Sequence, residues 1–258
     1  MIPIRRMSFD WSQLRDRRWF GGDPFLTHLV EALSLTFPLG ERFFVDAVKR
    51  FRGELALLDM DADIRAFIGQ EAHHGRAHET FNAWLSEGVP DAASLEARVA
   101  RTLEEGRAKM SPMQQLAVTC ALEHFTAVMA ELLLGNAVLR EKIHPDVRRL
   151  LVWHAIEETE HKAVAFDVYQ KMGGSYVMRA IVMIDVTITL FATTGALQAQ
   201  LMRASGSSRK LGRALHTFGW LARIVPPYLA YYRPGFHPWD RNPLEALESA
   251  RVELGIAA

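Results

Sequence analysis

The tetrad Glu71-Ala-His-His74 returns in form as Glu158-Thr-Glu-His161. On an α-helix, positions i and i+3 share a face, about 5–6 Å apart at Cβ, so a carboxylate and an imidazole at that spacing can reach one ion together. One Glu-x-x-His pair is weak evidence, because both residue types are common on helices. Here each pair follows another glutamate at hairpin distance: Glu41 precedes Glu71 by 30 residues and Glu123 precedes Glu158 by 35. Each gap suits a helix that runs up, turns and returns to the same height. Four such helices would bring Glu41, Glu71, His74, Glu123, Glu158 and His161 to one level of an all-α bundle. Bare buried charge is prohibitive, but four carboxylates and two imidazoles balance two divalent ions. The donor set suits iron or manganese better than copper, with zinc a further alternative.

The competing explanation is a solvated helix face, and Glu157, Glu158, Glu160 and Lys162 do form a charged run. The other positions argue against it. Glu71 shares its side with Phe67, Ile68 and Phe81, and Glu123 shares its side with Leu116, Thr119, Cys120 and Ala127. A glutamate in such a stripe needs a partner. His154, one turn before Glu158, and His78, one turn after His74, extend the two stripes. Both are therefore candidate metal ligands, or groups that orient one. His73 and His124 lie about 100° around their helices and are expected off the site. Glu131 is a fallback for Glu123.

Helix punctuation is frequent and β-hairpin dipeptides such as Asn-Gly are absent. Asp23-Pro24 is an N-cap with a first-turn proline. It should open a helix to about Arg52 that Pro38 kinks or breaks. Further helices are expected over 61–88 and, more peripherally, 91–109. Ser111-Pro-Met-Gln114 reads as a capping box opening a helix to about Arg140. His144-Pro145 should open another that Gly173-Gly174 closes. Apolar helices are then expected over 176–203 and 208–232, and a short one from Asn242-Pro243. The chain reads as a single domain, with residues 24–173 as the metal-binding bundle and 174–258 packed on it or covering it.

Composition narrows the partners. Lys plus Arg equals Asp plus Glu at 30 each, so the net charge is zero and no nucleic-acid partner is expected. Cys120 is the only cysteine, which removes thiolate ligation and fits a reducing, cytoplasmic compartment. The segment 180–202 is long and apolar enough to span a bilayer, but Asp185 would lie inside it. A core helix is the first reading. Membrane association through 176–232 is the alternative, and the same helices could form a homodimer interface. Arg179 and Asp185 could pair with each other or bond to a ligand histidine, and a structural role is the first expectation.

The six-residue set resembles the ferritin-like diiron-carboxylate proteins, including bacterial multicomponent monooxygenases and ribonucleotide reductase small subunits. His154 makes it similar also to the arylamine N-oxygenases, which carry a third histidine at that place; His78 departs from their pattern. More closely, Phe37-Pro-Leu-Gly-Glu41-Arg-Phe-Phe44, Glu71-Ala-His-His74 and Tyr232-Arg-Pro-Gly-Phe-His-Pro-Trp239 resemble a bacterial family described as predicted metal-dependent hydrolases. These likenesses imply a ferritin-like four-helix bundle with additional C-terminal apolar helices. They also imply an enzyme with two metal ions, iron first. An O2-activating oxygenase or oxidase is expected, using a small apolar or aromatic substrate and an electron donor. The alternatives are a dinuclear metal-dependent hydrolase and a non-catalytic metal-binding or membrane-associated protein.

Overall fold

The fold is known from a computed structural model, which describes residues 2–89, 92–207, 219 and 222–256. Among these residues the protein is all-α, with one isolated β-bridge between Phe20 and Ile143. Asp23 caps α1 (Pro24–Ser34), its Oδ1 accepting from the backbone N–H groups of Phe25 at 2.9 Å and Leu26 at 3.3 Å. The helix expected to reach Arg52 with a kink or break at Pro38 does break, at Leu35–Thr36. Pro38 has no N–H to donate, and its ring would crowd the Ser34 carbonyl of a continuous helix. The chain restarts as α2 (Phe37–Lys49), which carries Glu41. α3 (Asp61–Gly88) carries Glu71, His74 and His78. α4 (Ala92–Arg107) is the charged outer helix.

Ser111 and Gln114 form the expected capping box at the start of α5 (Pro112–Leu134). This helix stops at Gly135, short of Arg140. Asn136 then caps the brief α6 (Ala137–Glu141) by accepting from the Leu139 N–H, and the local bond competes with helix continuation. α7 (Pro145–His161) also ends earlier than expected, and α8 (Val164–Lys171) follows after a two-residue interruption. Nothing in the local sequence explains that interruption. α9 (Tyr176–Ala204) matches its expected span. Much of the helix expected over 208–232 lies outside the described residues; its last part contains α10 (Val225–Ala230). α11 (Leu244–Leu254) follows Pro243.

α2 packs on α3 and α5, and α7 packs on α5 and α3, so the four glutamate-bearing helices surround one interior. α9 lies on α1 and α5, outside that group. One apolar cluster gathers Trp19, Phe81, Trp84 and Trp153; another gathers Phe43, Phe67, Phe166 and Tyr169. Burial of each large side chain is worth about 1.5–3 kcal/mol. The non-helical N-terminal segment is fastened to α3. Trp11 Nε1 donates to Thr80 Oγ1 at 2.9 Å, and Trp84 Nε1 donates to the Leu14 carbonyl at 3.1 Å.

Arg179 does not pair with Asp185. Its buried guanidinium donates to the carbonyls of Tyr231 at 2.5 Å and Arg233 at 2.9 Å, tying α9 to the segment after α10. A different face of α9 is bare: Val177, Ile181, Ile184, Ile188 and Phe191 are all exposed. By length and composition α5 and α9 could each cross a membrane. The most apolar stretch of α5 is 56% buried and serves as core, whereas that of α9 is only 22% buried.

The turn between α8 and α9 is tight. A Cβ on Gly174 would overlap the ring of Tyr169, which is fully buried and whose hydroxyl donates to the Ser175 carbonyl at 2.8 Å. The ring cannot swing away without losing both. Gly174→Ala is expected to cost about 1–3 kcal/mol of stability. A thermal melt should register this as a drop of several degrees; an unchanged melt would show that the turn relaxes freely.

Candidate metal centre

The six glutamate and histidine side chains predicted from the sequence meet in one buried cluster, none more than 3% exposed. Close approach of α2 and α3 makes this fit: a Cβ on Gly75 would stand 3.3 Å from Glu41 Oε2. His161 Nε2 lies 3.1 Å from Glu71 Oε1, 3.4 Å from Glu123 Oε2 and 3.6 Å from Glu158 Oε1. His74 Nδ1 lies 3.5 Å from Glu71 Oε1 and 3.6 Å from Glu158 Oε1. These atoms are near one another without hydrogen-bonding geometry. Among the described residues, fourteen buried side-chain atoms have no hydrogen-bond partner, and eight of them belong to these six residues. Orphaned buried polar atoms are costly and rare. Their concentration around one gap is the signature of donors awaiting a cation.

Each imidazole is held from behind with its other nitrogen free to face the gap. His161 Nδ1 donates to Gln70 Oε1 at 2.8 Å. The Gln70 amide is oriented because its Nε2 donates to the Pro3 carbonyl at 2.8 Å and Glu160 Oε2 at 3.1 Å. His74 Nε2 donates to Glu157 Oε2 at 3.1 Å, which leaves Nδ1 toward the site. His154 belongs to a longer chain. Asn82 Nδ2 donates to the Ser34 carbonyl at 3.0 Å, so its Oδ1 accepts from Ser34 Oγ at 2.7 Å. Ser34 Oγ in turn accepts from His78 Nδ1 at 2.8 Å, and His78 Nε2 accepts from His154 Nδ1 at 2.9 Å. His154 Nε2 is thereby an acceptor aimed at the cluster, 2.9 Å from Glu158 Oε1 and 3.7 Å from Glu41 Oε1. These tautomers follow from the hydrogen-bond network. His78 uses both ring nitrogens in this chain and stands behind His154.

Three donor groups can be drawn: Glu41, His74 and His154; Glu71, Glu123 and His161; and Glu71, His74 and Glu158. Glu71 and Glu158 lie between the two ends and can serve ions at both. The chain therefore offers a coherent cradle for two metal ions. Several supporting residues escaped the sequence reading. Gln70, Glu157, Glu160 and Arg5 orient the ligands, and Arg5 donates to Glu160 Oε2 at 2.8 Å and Glu157 Oε1 at 3.3 Å. Gln70 is adjacent in sequence to Glu71, but nothing local points it at His161. The residues expected off the site are off it. His124 Nε2 donates to the Pro227 carbonyl at 3.1 Å. Glu131, the fallback for Glu123, is away from the cluster and pairs with Arg241 Nε at 3.0 Å.

Without metal the cluster holds protons. Burial opposes charge on His74, yet the hydrogen bond to Glu157 and the nearby Glu71 carboxylate push it up to about 9. Burial, together with the Glu158 and Glu71 carboxylates, pushes Glu123 up to about 8. Burial and the neighbouring carboxylates raise Glu41 well above the usual range, and Glu158 and Glu123 raise His161 despite its burial. Ligation requires all four groups deprotonated. Metal uptake at pH 7 is therefore expected to release several protons, and affinity should rise with pH through 7 to 9. Calorimetric titration with Mn2+ in two buffers of different ionisation enthalpy measures this; identical heats would contradict it.

A cavity of about 570 Å3 opens beside the cluster, between α2, α4, α5 and α9, and its wall includes Glu41 and Glu158. Leu33, Phe44, Leu122, Phe125 and Leu190 make it largely apolar. The size is that of a small-molecule site.

The fold and this cluster define a helical protein with a buried carboxylate–histidine site for metal. The chain belongs to the family described as predicted metal-dependent hydrolases, whose model matches residues 3–242. No curated protein matches the chain, and no solved structure does. Together, the family and the cluster support a catalytic, metal-dependent activity.

Proposed function

We propose that the chain is a ferritin-like diiron enzyme that uses O2 to oxidise an apolar substrate bound in the cavity beside Glu41 and Glu158. The supporting observation is the charge of the donor set. Four buried carboxylates cancel the charge of two divalent ions. Anionic ligation of that kind weakens Lewis acidity and favours more oxidised ions, which suits redox iron better than zinc. Bound metal would supply electrons for O2 reduction or, in the hydrolytic reading, polarisation of a carbonyl or phosphoryl group. The protein's own part is positional. Glu71 and Glu158 would hold the ions at a common separation. Glu41 with His154, and Glu123 with His161, would close the two ends. Leu122, Phe125 and Leu190 would exclude water from the substrate side. An external electron donor follows from this reading.

Hydrolysis is the second reading, and the family description favours it. One experiment separates the two. Metal-free protein is loaded anaerobically with Fe(II), then mixed with O2 while absorbance and O2 are followed. Parallel samples loaded with Zn2+ or Mn2+ receive chromogenic ester and phosphoester probes. Rapid O2 consumption with a new absorbance band is expected. Fully loaded protein that ignores O2 but turns over the probes would replace oxidation with hydrolysis.

The bare stripe on α9 supports association with a membrane surface through this helix, with a second copy of the chain as the alternative. Sedimentation with and without anionic vesicles distinguishes them. Co-sedimentation is expected, and a vesicle-independent dimer would overturn it.

A further inference from the structure

The cavity beside the metal cluster has a length, a direction and one uncommitted cation. Its wall on α9 runs from Asp185 to Gln200, about 22 Å at 1.5 Å per residue. On α5 the wall runs from Val118 to Met129, about 16 Å. A cavity of 570 Å3 drawn out over that length is a groove. It suits an extended chain better than a compact ring system.

Three of the five threonine hydroxyls along the groove are already committed. Thr36, Thr102 and Thr126 each donate to a carbonyl of their own local turn, at 2.7, 3.1 and 2.9 Å. The two ends differ in charge. At one end Arg98 Nη2 donates to Gln200 Oε1 at 2.7 Å, and the Gln200 amide is held by its own bond to the Ala196 carbonyl at 3.1 Å. Among the described residues Arg98 forms no ion pair. At the other end stands Asp185, which is exposed. A carboxylate head is attracted to the first end and repelled from the second, so the groove specifies orientation.

The metal cluster faces the middle of this run. Glu123 lies within the α5 stretch, and Phe125 packs against Phe191 of α9 with ring centroids 6.2 Å apart. Gln200 lies nine positions beyond Phe191, about 13 Å along the helix. A head at Arg98 therefore places an interior part of the chain, not the head, beside Glu41 and Glu158.

We infer that the groove binds a single-chain amphiphile with an anionic head, of the fatty-acid class, with its carboxylate at Arg98 and an interior methylene segment at the metal cluster. As the identity of the enzyme's substrate this rests on the metal-enzyme reading above. As a binding site it stands without it.

The test uses the full-length protein and palmitate, with hexadecanol and 2-naphthoate as comparison ligands. Metal-free protein should bind one palmitate per chain in saturable fashion, and more tightly than naphthoate. Arg98→Gln should weaken palmitate at least tenfold while leaving hexadecanol nearly unchanged. Ala196→Trp, which fills the groove at the Arg98 end, should weaken both. In Mn2+-loaded protein, paramagnetic broadening of uniformly 13C-labelled palmitate should fall on interior carbons and spare the carboxyl.

Stronger binding of naphthoate, equal loss of palmitate and hexadecanol in Arg98→Gln, or broadening centred on the carboxyl carbon would each overturn the inference. Two metal ions per chain with no palmitate bound would overturn it too, leaving the metal reading intact. Saturable palmitate binding by a protein that takes up no metal would do the reverse, supporting the amphiphile site and removing the metal reading.

Discussion

Glu71→Ala is expected to empty the centre, whereas Glu123→Ala is expected to leave one ion behind. Glu71 lies between the two histidines of the Glu-x-x-His pairs, with Oε1 3.1 Å from His161 Nε2 and 3.5 Å from His74 Nδ1. It enters two of the three donor groups, and Glu158 likewise approaches His74, His154 and His161. Glu123 approaches only the His161 end, and Glu41 approaches the His154 end. Removing one partner from a buried charged set costs about 3–5 kcal/mol, or roughly two to three and a half powers of ten in affinity. At a shared ligand that loss falls on both ions. Elemental analysis should give well under one ion per chain for Glu71→Ala and Glu158→Ala. It should give about one for Glu123→Ala and Glu41→Ala, with helicity retained in all four. Full occupancy in the Glu71 and Glu158 variants would refute the centre.

Glu123→Leu should make the metal-free protein more stable while removing about half of the stabilisation that metal confers. Both carboxylate oxygens of Glu123 are buried without partners. Replacing a buried unsatisfied polar group by an apolar one of similar size is expected to recover about 1–3 kcal/mol. That is several degrees in the melting temperature for a protein this large. The pH dependence gives the sign a second check. The native carboxyl holds its proton up to about 8, well above its unfolded value near 4.5. Between those values the native state binds more protons than the unfolded state, so stability falls as pH rises. Leucine removes that decline, and the gap between variant and parent should widen from pH 5 to pH 8. Added metal stabilises the parent by preferential binding to the native state. The variant, left with one ion, should gain about half as much. A metal-free variant that melts below its parent at both pH values would contradict this account of Glu123.

The meeting of these six side chains was legible in the sequence because it rests on two local rules. The i, i+3 spacing fixes Glu71 with His74 and Glu158 with His161, and the 30- and 35-residue gaps return the chain to the same height. Such rules survive small errors in helix ends. α1 and α2 did separate, α5 stopped early and α7 was interrupted after His161, yet the ligands kept their level. Groups that act across the chain were not legible. Gln70 reaches His161 across 91 positions, and Arg5 reaches Glu160 across 155. No periodicity encodes such partners. The role of His78 was half visible. Its stripe on α3 pointed inward, but its place behind His154 depends on Ser34 and Asn82, which sit on other turns of the structure. The candidate pairing of Arg179 with Asp185 failed for the same reason, since its carbonyl partners lie beyond residue 230.

The contacts of Glu160 set an order of events during synthesis. Arg5 grips this carboxylate from the beginning of the chain, and Arg251 grips it from α11, donating at 2.6 Å. Glu160 in turn braces Gln70, which orients His161. All six side chains precede Arg251 in the chain, so when residue 161 emerges only the first of the two arginines is available. Chains emerge N-terminus first at about 5–20 residues per second. For some seconds a nascent chain thus carries all six donors with only half of their brace. Arg251 can fasten the other half only after that interval.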